Sequence, residues 1–85
     1  MDVTIKYFAW MRERVGVSEE RVALPAHVAT VADVVAWLTM RGENYAAAFA
    51  KPHLTRAAVD QVHASHETCV LGAREIAFFP PVTGG

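Results

Sequence analysis

The chain has 85 residues, 53% hydrophobic and 20% charged, which is enough apolar material for one small core and too little length for two. Nine acidic against eight basic residues leave a formal charge of −1 without a basic cluster, so nucleic acid and anionic membranes are excluded as electrostatic partners. The longest runs free of Asp, Glu, Lys and Arg, Val22 to Ala32 and Ile76 to Gly85, fall short of the roughly 20 apolar residues that cross a bilayer.

Val3, Ile5 and Tyr7 alternate with Thr4, Lys6 and Phe8, the period of a strand with one buried face. The same opening, MDVTIKYF, has neither the basic nor the uninterrupted apolar region of a signal peptide. Together with a single cysteine, Cys69, which can form no internal disulfide, it points to a cytoplasmic protein. Ala9 to Val15 is rich in helix formers and stops at Gly16, which predicts a short helix inserted before a second strand, Arg21 to Leu24, closed by Pro25. Thr30, followed three residues later by Asp33, reads as a helix cap. Val31, Val34, Val35 and Leu38 then form one apolar stripe of a main helix that reaches about Met40 and ends at Gly42.

Asn44 to Ala50 predicts a further helical turn or two ahead of Pro52. Leu54 to Val59 reads as a strand running into a turn at Asp60 and Gln61, with Val62 to Ala64 as a short return strand. Ser65 to Arg74 is irregular, Glu75 to Phe79 is the last strand, and Pro80 and Pro81 end it. The order predicts an α+β fold, a mixed sheet of about four to five strands with one main helix packed across one face. Residues 1–79 make the domain and 80–85 a flexible tail.

In that tail the two prolines fix φ and remove hydrogen-bond donors, so the segment leaves the sheet extended. Val82 and Thr83 offer small side chains for recognition, and Gly84 and Gly85 let the backbone enter a channel too narrow for any other residue. A terminal glycyl carboxylate is ionised at neutral pH and is a poor acyl donor until activated. Adenylation by a partner would open its unhindered carbonyl to a sulfur nucleophile or an amine. By itself a Gly-Gly end also fits a frayed terminus.

Other constellations are weaker. His63, His66 and Cys69 stand three apart with Glu67 nearby, but without CxxC or HExxH spacing they read as a solvated loop with a half-buried cysteine, and not as metal ligands. No third orienting group accompanies Cys69 and a histidine, so no catalytic residue is assigned. Arg12, Glu13 and Arg14 beside Trp10 read as a solvated helix face, and Trp37 as packing on the main helix. The five glycines form no phosphate-binding loop, so no cofactor is assigned to the chain itself.

EIAFFPPVTGG at the end, Phe8 to Gly16 (FAWMRERVG) and AAVDQ at Ala57 to Gln61 together resemble the small subunit of molybdopterin synthase, a MoaD-type sulfur carrier. The resemblance spans essentially the whole chain and implies a ubiquitin-like β-grasp fold. It implies that the Gly85 carboxylate is adenylated by an ATP-dependent, ubiquitin-activating-like adenylyltransferase and converted to a thiocarboxylate. The large catalytic subunit, in a heterotetramer, would then use that sulfur to build the dithiolene of molybdopterin from cyclic pyranopterin monophosphate. Pro80, Pro81, Val82, Thr83 and Gly84 would be the recognised tail, and Phe8 and Phe79 would face partner subunits.

Strand alternation agrees for Phe79, since Ile76 and Phe78 share the opposite face; a small second core there is the other reading, and Phe8 fits either role. Where such carriers commonly have Asn this chain has Asp60, which can support a similar turn through its side-chain oxygen. Gly72-Ala73-Arg74-Glu75 replaces an acidic turn, and His63 stands where a more apolar contact residue is usual. Two related functions share the activated glycine: a ubiquitin-like protein modifier, and a carrier of sulfur for thiazole or tRNA.

Overall fold

The computed structural model describes residues 1–81. β1 (Asp2–Tyr7) is followed by α1 (Ala9–Val15), β2 (Glu19–Ala23), α2 (Val31–Thr39), α3 (Glu43–Ala48), a 3-10 turn (Pro52–Leu54), β3 (Arg56–Val59), β4 (Val62–Ala64) and β5 (Glu75–Phe79). The five strands form one sheet in the order β2-β1-β5-β3-β4, with β1 and β5 parallel and every other pair antiparallel. Register places Ile5 beside Ile76 and Tyr7 beside Phe78. The alternation read along β1 therefore continues across the sheet as one apolar inner face.

Three helices cover that face. α2, the longest, begins in a capping box: Asp33 N–H donates to Thr30 Oγ1 at 3.2 Å, while Asp33 Oδ2 accepts from the backbone of Ala29 at 3.0 Å and Thr30 at 3.1 Å. Those backbone donors hold the Asp33 carboxyl below its ordinary value. Val31, Val34 and Leu38 of the stripe are buried and Val35 is half-buried. α1 ends at Gly16, whose φ of 99° suits a residue without Cβ and lets its N–H reach Arg12 O at 2.8 Å. At the centre the Phe49 and Phe78 rings meet edge-on at 5.0 Å, and Tyr7 meets Phe49 at 6.5 Å. Such contacts add about 0.5 to 1.5 kcal/mol beyond the area they bury.

Several element bounds differ from those predicted. The second strand starts two residues earlier, at Glu19, because Lys6 and Ile5 extend the ladder to Glu19 and Glu20. It ends before Leu24, which is buried all the same. Leu54 belongs to the 3-10 turn, not to a strand: Pro52 opens that turn and Leu54 N–H donates to Lys51 O at 2.9 Å, so β3 begins at Arg56. α3 stops at Ala48, short of Ala50. Residues 65–74 are irregular as predicted, but they are pinned to the start of α2 by Val31 N–H to Thr68 O at 3.0 Å and Val70 N–H to Ala29 O at 2.8 Å. That pairing buries Val70 and leaves Cys69 exposed, where a half-buried thiol was expected.

The turn between β3 and β4 has two residues, Asp60 and Gln61, both left-handed at φ 48° and 68°, as a tight hairpin demands. The Asp60 carboxylate does not close this turn. Its Oδ1 accepts from the N–H groups of Arg74 at 2.9 Å and Glu75 at 3.0 Å, and its own N–H donates to Glu75 O at 2.9 Å, so one side chain secures the start of β5. Asp60→Ala is expected to lower the thermal midpoint by about 4 °C, and Asp60→Asn, which keeps an oxygen acceptor, by less than half of that. Calorimetry of the two variants checks it; equal losses would mean that the turn conformation, and not this oxygen, is what matters.

Sequence periodicity carries no sign of the polar hub around Glu20. Tyr7 and Tyr45 hydroxyls both donate to its Oε2, at 2.8 and 2.6 Å, and Arg41 pairs with its Oε1 at 3.2 Å. The Arg41 guanidinium in turn lies 5.1 Å from the Trp37 ring centroid and 4.9 Å from that of Tyr45. Burial alone would raise the Glu20 carboxyl, but the hydrogen bonds from Tyr45 and Tyr7 and the charge of Arg41 outweigh it and hold the group below its ordinary value. Burial first, and then the carboxylate, push the Tyr7 phenol up.

Candidate functional site

Because β1 and β5 turn Val3, Ile5, Tyr7, Ile76 and Phe78 inward, Lys6, Glu75, Ala77 and Phe79 face outward, on the side of the sheet that no helix covers. Ala77 sits between Lys6 and Ala58 in register, and His63 lies across from Ala58. The small alanines leave a hollow of about 400 Å³ lined by Phe8, Ala58, Gln61, Glu75, Ala77, Phe79 and Pro80, whose surface is almost wholly apolar. Phe8, which fitted either role in the sequence, is 46% exposed. Phe79 is half-buried, with the His63 ring edge-on to it at 5.5 Å.

The structure thus brings together Phe8, Phe79 and Pro80. Pro81, next along, is half-buried. Val82, Thr83, Gly84 and Gly85 lie outside the described residues. Sequence reasoning missed the floor of the hollow, Ala58 and Ala77; the signal was alanine on two strands whose alternation turns those positions outward, readable only once their pairing is known. Lys6 closes one side by an ion pair to Glu75 at 3.0 Å, and the hydrogen bond and charge of Glu75 raise the Lys6 ammonium above its ordinary value.

A larger hollow of about 660 Å³ beside it is lined by charges of both signs, Asp2, Lys6, Glu19, Arg21, Arg74 and Glu75 among them. Ala73 of the departed acidic turn is buried, and Arg74 is exposed on that rim. Among the described residues, no group of three or more His, Cys, Asp or Glu side chains comes together to hold a metal, and His63, His66 and Cys69 are each exposed. No helix among them is long and apolar enough to cross a membrane. Arg12, Glu13 and Arg14 are exposed, as read from the sequence, and Trp37 is half-buried on α2.

A five-stranded mixed sheet wrapped on one side around helices, with an apolar hollow at the point where the C-terminal arm departs, defines a ubiquitin-like β-grasp domain. The model of the ThiS family matches residues 5–85. The molybdopterin synthase sulfur carrier subunit of Haemophilus influenzae is 37% identical over 83 residues, spanning 98% of this chain and 99% of its own. That of Escherichia coli is 35% identical over 83 residues with the same coverage. Among solved structures, SAMP1 from Haloferax volcanii matches with a TM-score of 0.73 over 100% of both chains, at 23% identity, a likeness of fold alone. This chain belongs to the ThiS family.

Proposed function

We propose that this chain is the sulfur carrier subunit of a molybdopterin synthase, a non-catalytic scaffold that presents its C-terminal glycine to the active sites of two partners. The observation that carries the reading is the near full-length likeness to two sulfur carrier subunits, within a family match that runs through PPVTGG to Gly85. In the first partner, an adenylyltransferase, the Gly85 carboxylate attacks the α-phosphorus of ATP and pyrophosphate leaves. A sulfide-level nucleophile then displaces AMP from the acyl adenylate and leaves a thiocarboxylate. In the second, the large synthase subunit, the thiocarboxylate gives its sulfur to cyclic pyranopterin monophosphate and the carboxylate returns.

The scaffold's part is positional. Phe8 and Phe79 are exposed enough to be gripped and sit against Pro80, so a partner that buries the hollow also aims the arm. Two carriers and two large subunits would make the working heterotetramer.

Incubating the chain with activating enzyme, ATP and a sulfur source is expected to add about 16 Da to the intact mass, confined to Gly85, the difference between oxygen and sulfur in an acyl exchange. An unchanged mass under conditions that charge a known carrier overturns the reading. Covalent ladders on lysines in cells, with no sulfur transfer, would replace it with a protein modifier.

A further inference from the structure

A second groove, of about 290 Å³, lies on the helical side and is lined by Trp10, Arg14, Ala47, Ala50, Lys51 and Leu54. Chain connectivity places it at the same edge of the sheet as the apolar hollow. Phe8 ends β1, donating its N–H to Phe78 O at 3.1 Å, and Trp10 follows two residues later across Ala9, which is held left-handed at φ 55°. On the other flank, Leu54 precedes Arg56 by two residues, and Arg56 is the register partner of Phe79. A partner that takes in the arm beyond Pro80 therefore meets this edge from both sides.

The groove has a definite chemical character. Arg14 and Lys51 are both exposed, no carboxylate joins them in the lining, and the two ion pairs among the described residues involve neither. The Arg14 guanidinium lies 5.6 Å from the Trp10 ring centroid, and Ala47, Ala50 and Leu54 supply an apolar floor. Two cations without a counter-charge flanking an apolar trough favour an occupant of opposite sign with an apolar anchor, and repel a basic one.

We propose that this groove docks an acidic segment of a partner that receives the C-terminal arm, its carboxylates meeting Arg14 and Lys51 and an apolar side chain lying along Ala47, Ala50 and Leu54. The inference rests on the carrier reading for the existence of that partner and adds the chemistry of the contact. Exposed charge pairs contribute little affinity each and act through encounter rate and selectivity, so their mark is sensitivity to salt.

The test uses the full chain carrying Arg14→Glu with Lys51→Glu, exposed positions where charge reversal leaves the thermal midpoint close to that of the parent. Binding to purified large synthase subunit and to purified activating enzyme is measured at low and at high sodium chloride. For at least one partner the parent is expected to weaken as salt rises, and the reversed variant to bind about tenfold more weakly at low salt with a flatter salt response. The charge-keeping pair Arg14→Lys with Lys51→Arg should bind as the parent does. Parent-like binding of the reversed variant to both partners, or a weakening equal at both salt levels, overturns the inference while leaving the carrier reading intact. A parent chain that binds neither partner overturns both.

Discussion

A chain truncated after Thr83 is expected to fold as the full chain does and to accept no sulfur. Among the described residues every buried core side chain stands at or before Phe78, so loss of Gly84 and Gly85 removes no core packing, and the thermal midpoint should stay within about 1 °C. The chemistry has no such tolerance. Two residues of extended chain span about 7 Å, and misplacing a reacting group by even about 1 Å costs on the order of a hundredfold in rate. The new terminal carboxylate would also belong to Thr83, whose branched Cβ crowds a carbonyl that glycine leaves open. Thiocarboxylate formation should fall at least a hundredfold, read by intact mass beside a melting curve. A truncated chain that still gains sulfur would move the reactive group away from Gly85.

Glu20→Ala is the substitution expected to cost most in stability among those at polar positions. It removes the acceptor of two tyrosine hydroxyls, one on a side chain only 1% exposed, and leaves Arg41 without its carboxylate. Loss of one partner from such a cluster costs about 2 to 4 kcal/mol, or roughly 10 to 20 °C of midpoint in a domain of this size. Glu20→Gln keeps an oxygen for one hydroxyl and should lose about half as much.

The pH dependence has a definite sign. Because the folded carboxyl sits below its ordinary value of 4.5, the unfolded chain binds more protons in acid. Its stabilisation is complete above about pH 4.5 and is lost as pH falls through the lower folded value. The stability difference between the parent and Glu20→Gln should therefore shrink in acid. A difference that stays constant from neutral pH into acid would show that the charge of Glu20 contributes nothing.

Much of the fold could be read along the chain because its causes are local. The alternation in β1, the Thr30 and Asp33 cap, the stripe Val31, Val34 and Leu38 and the stop at Gly16 each act within one or two turns of backbone, where covalent geometry and side-chain type suffice. Errors fell at element ends. Leu54 looked like strand because it is apolar and follows a proline, but the proline's fixed φ opened a 3-10 turn. Asp60 was read as a turn residue closing on itself, whereas its oxygen is taken by backbone donors 14 and 15 residues away.

The sequence by itself determined the order of elements, the inward apolar stripes and the chemical make-up of the arm, since each is a property of neighbouring residues. Only tertiary structure decided that Phe8, Ala58, Ala77 and Phe79 share one hollow, that Glu20 gathers Tyr7, Tyr45 and Arg41, and that Trp10 meets Lys51 across a cationic groove. The physical reason is strand register. Placing β5 between β1 and β3 joins segments distant in the chain, and a slip of one residue would turn Phe79 inward and Phe78 out.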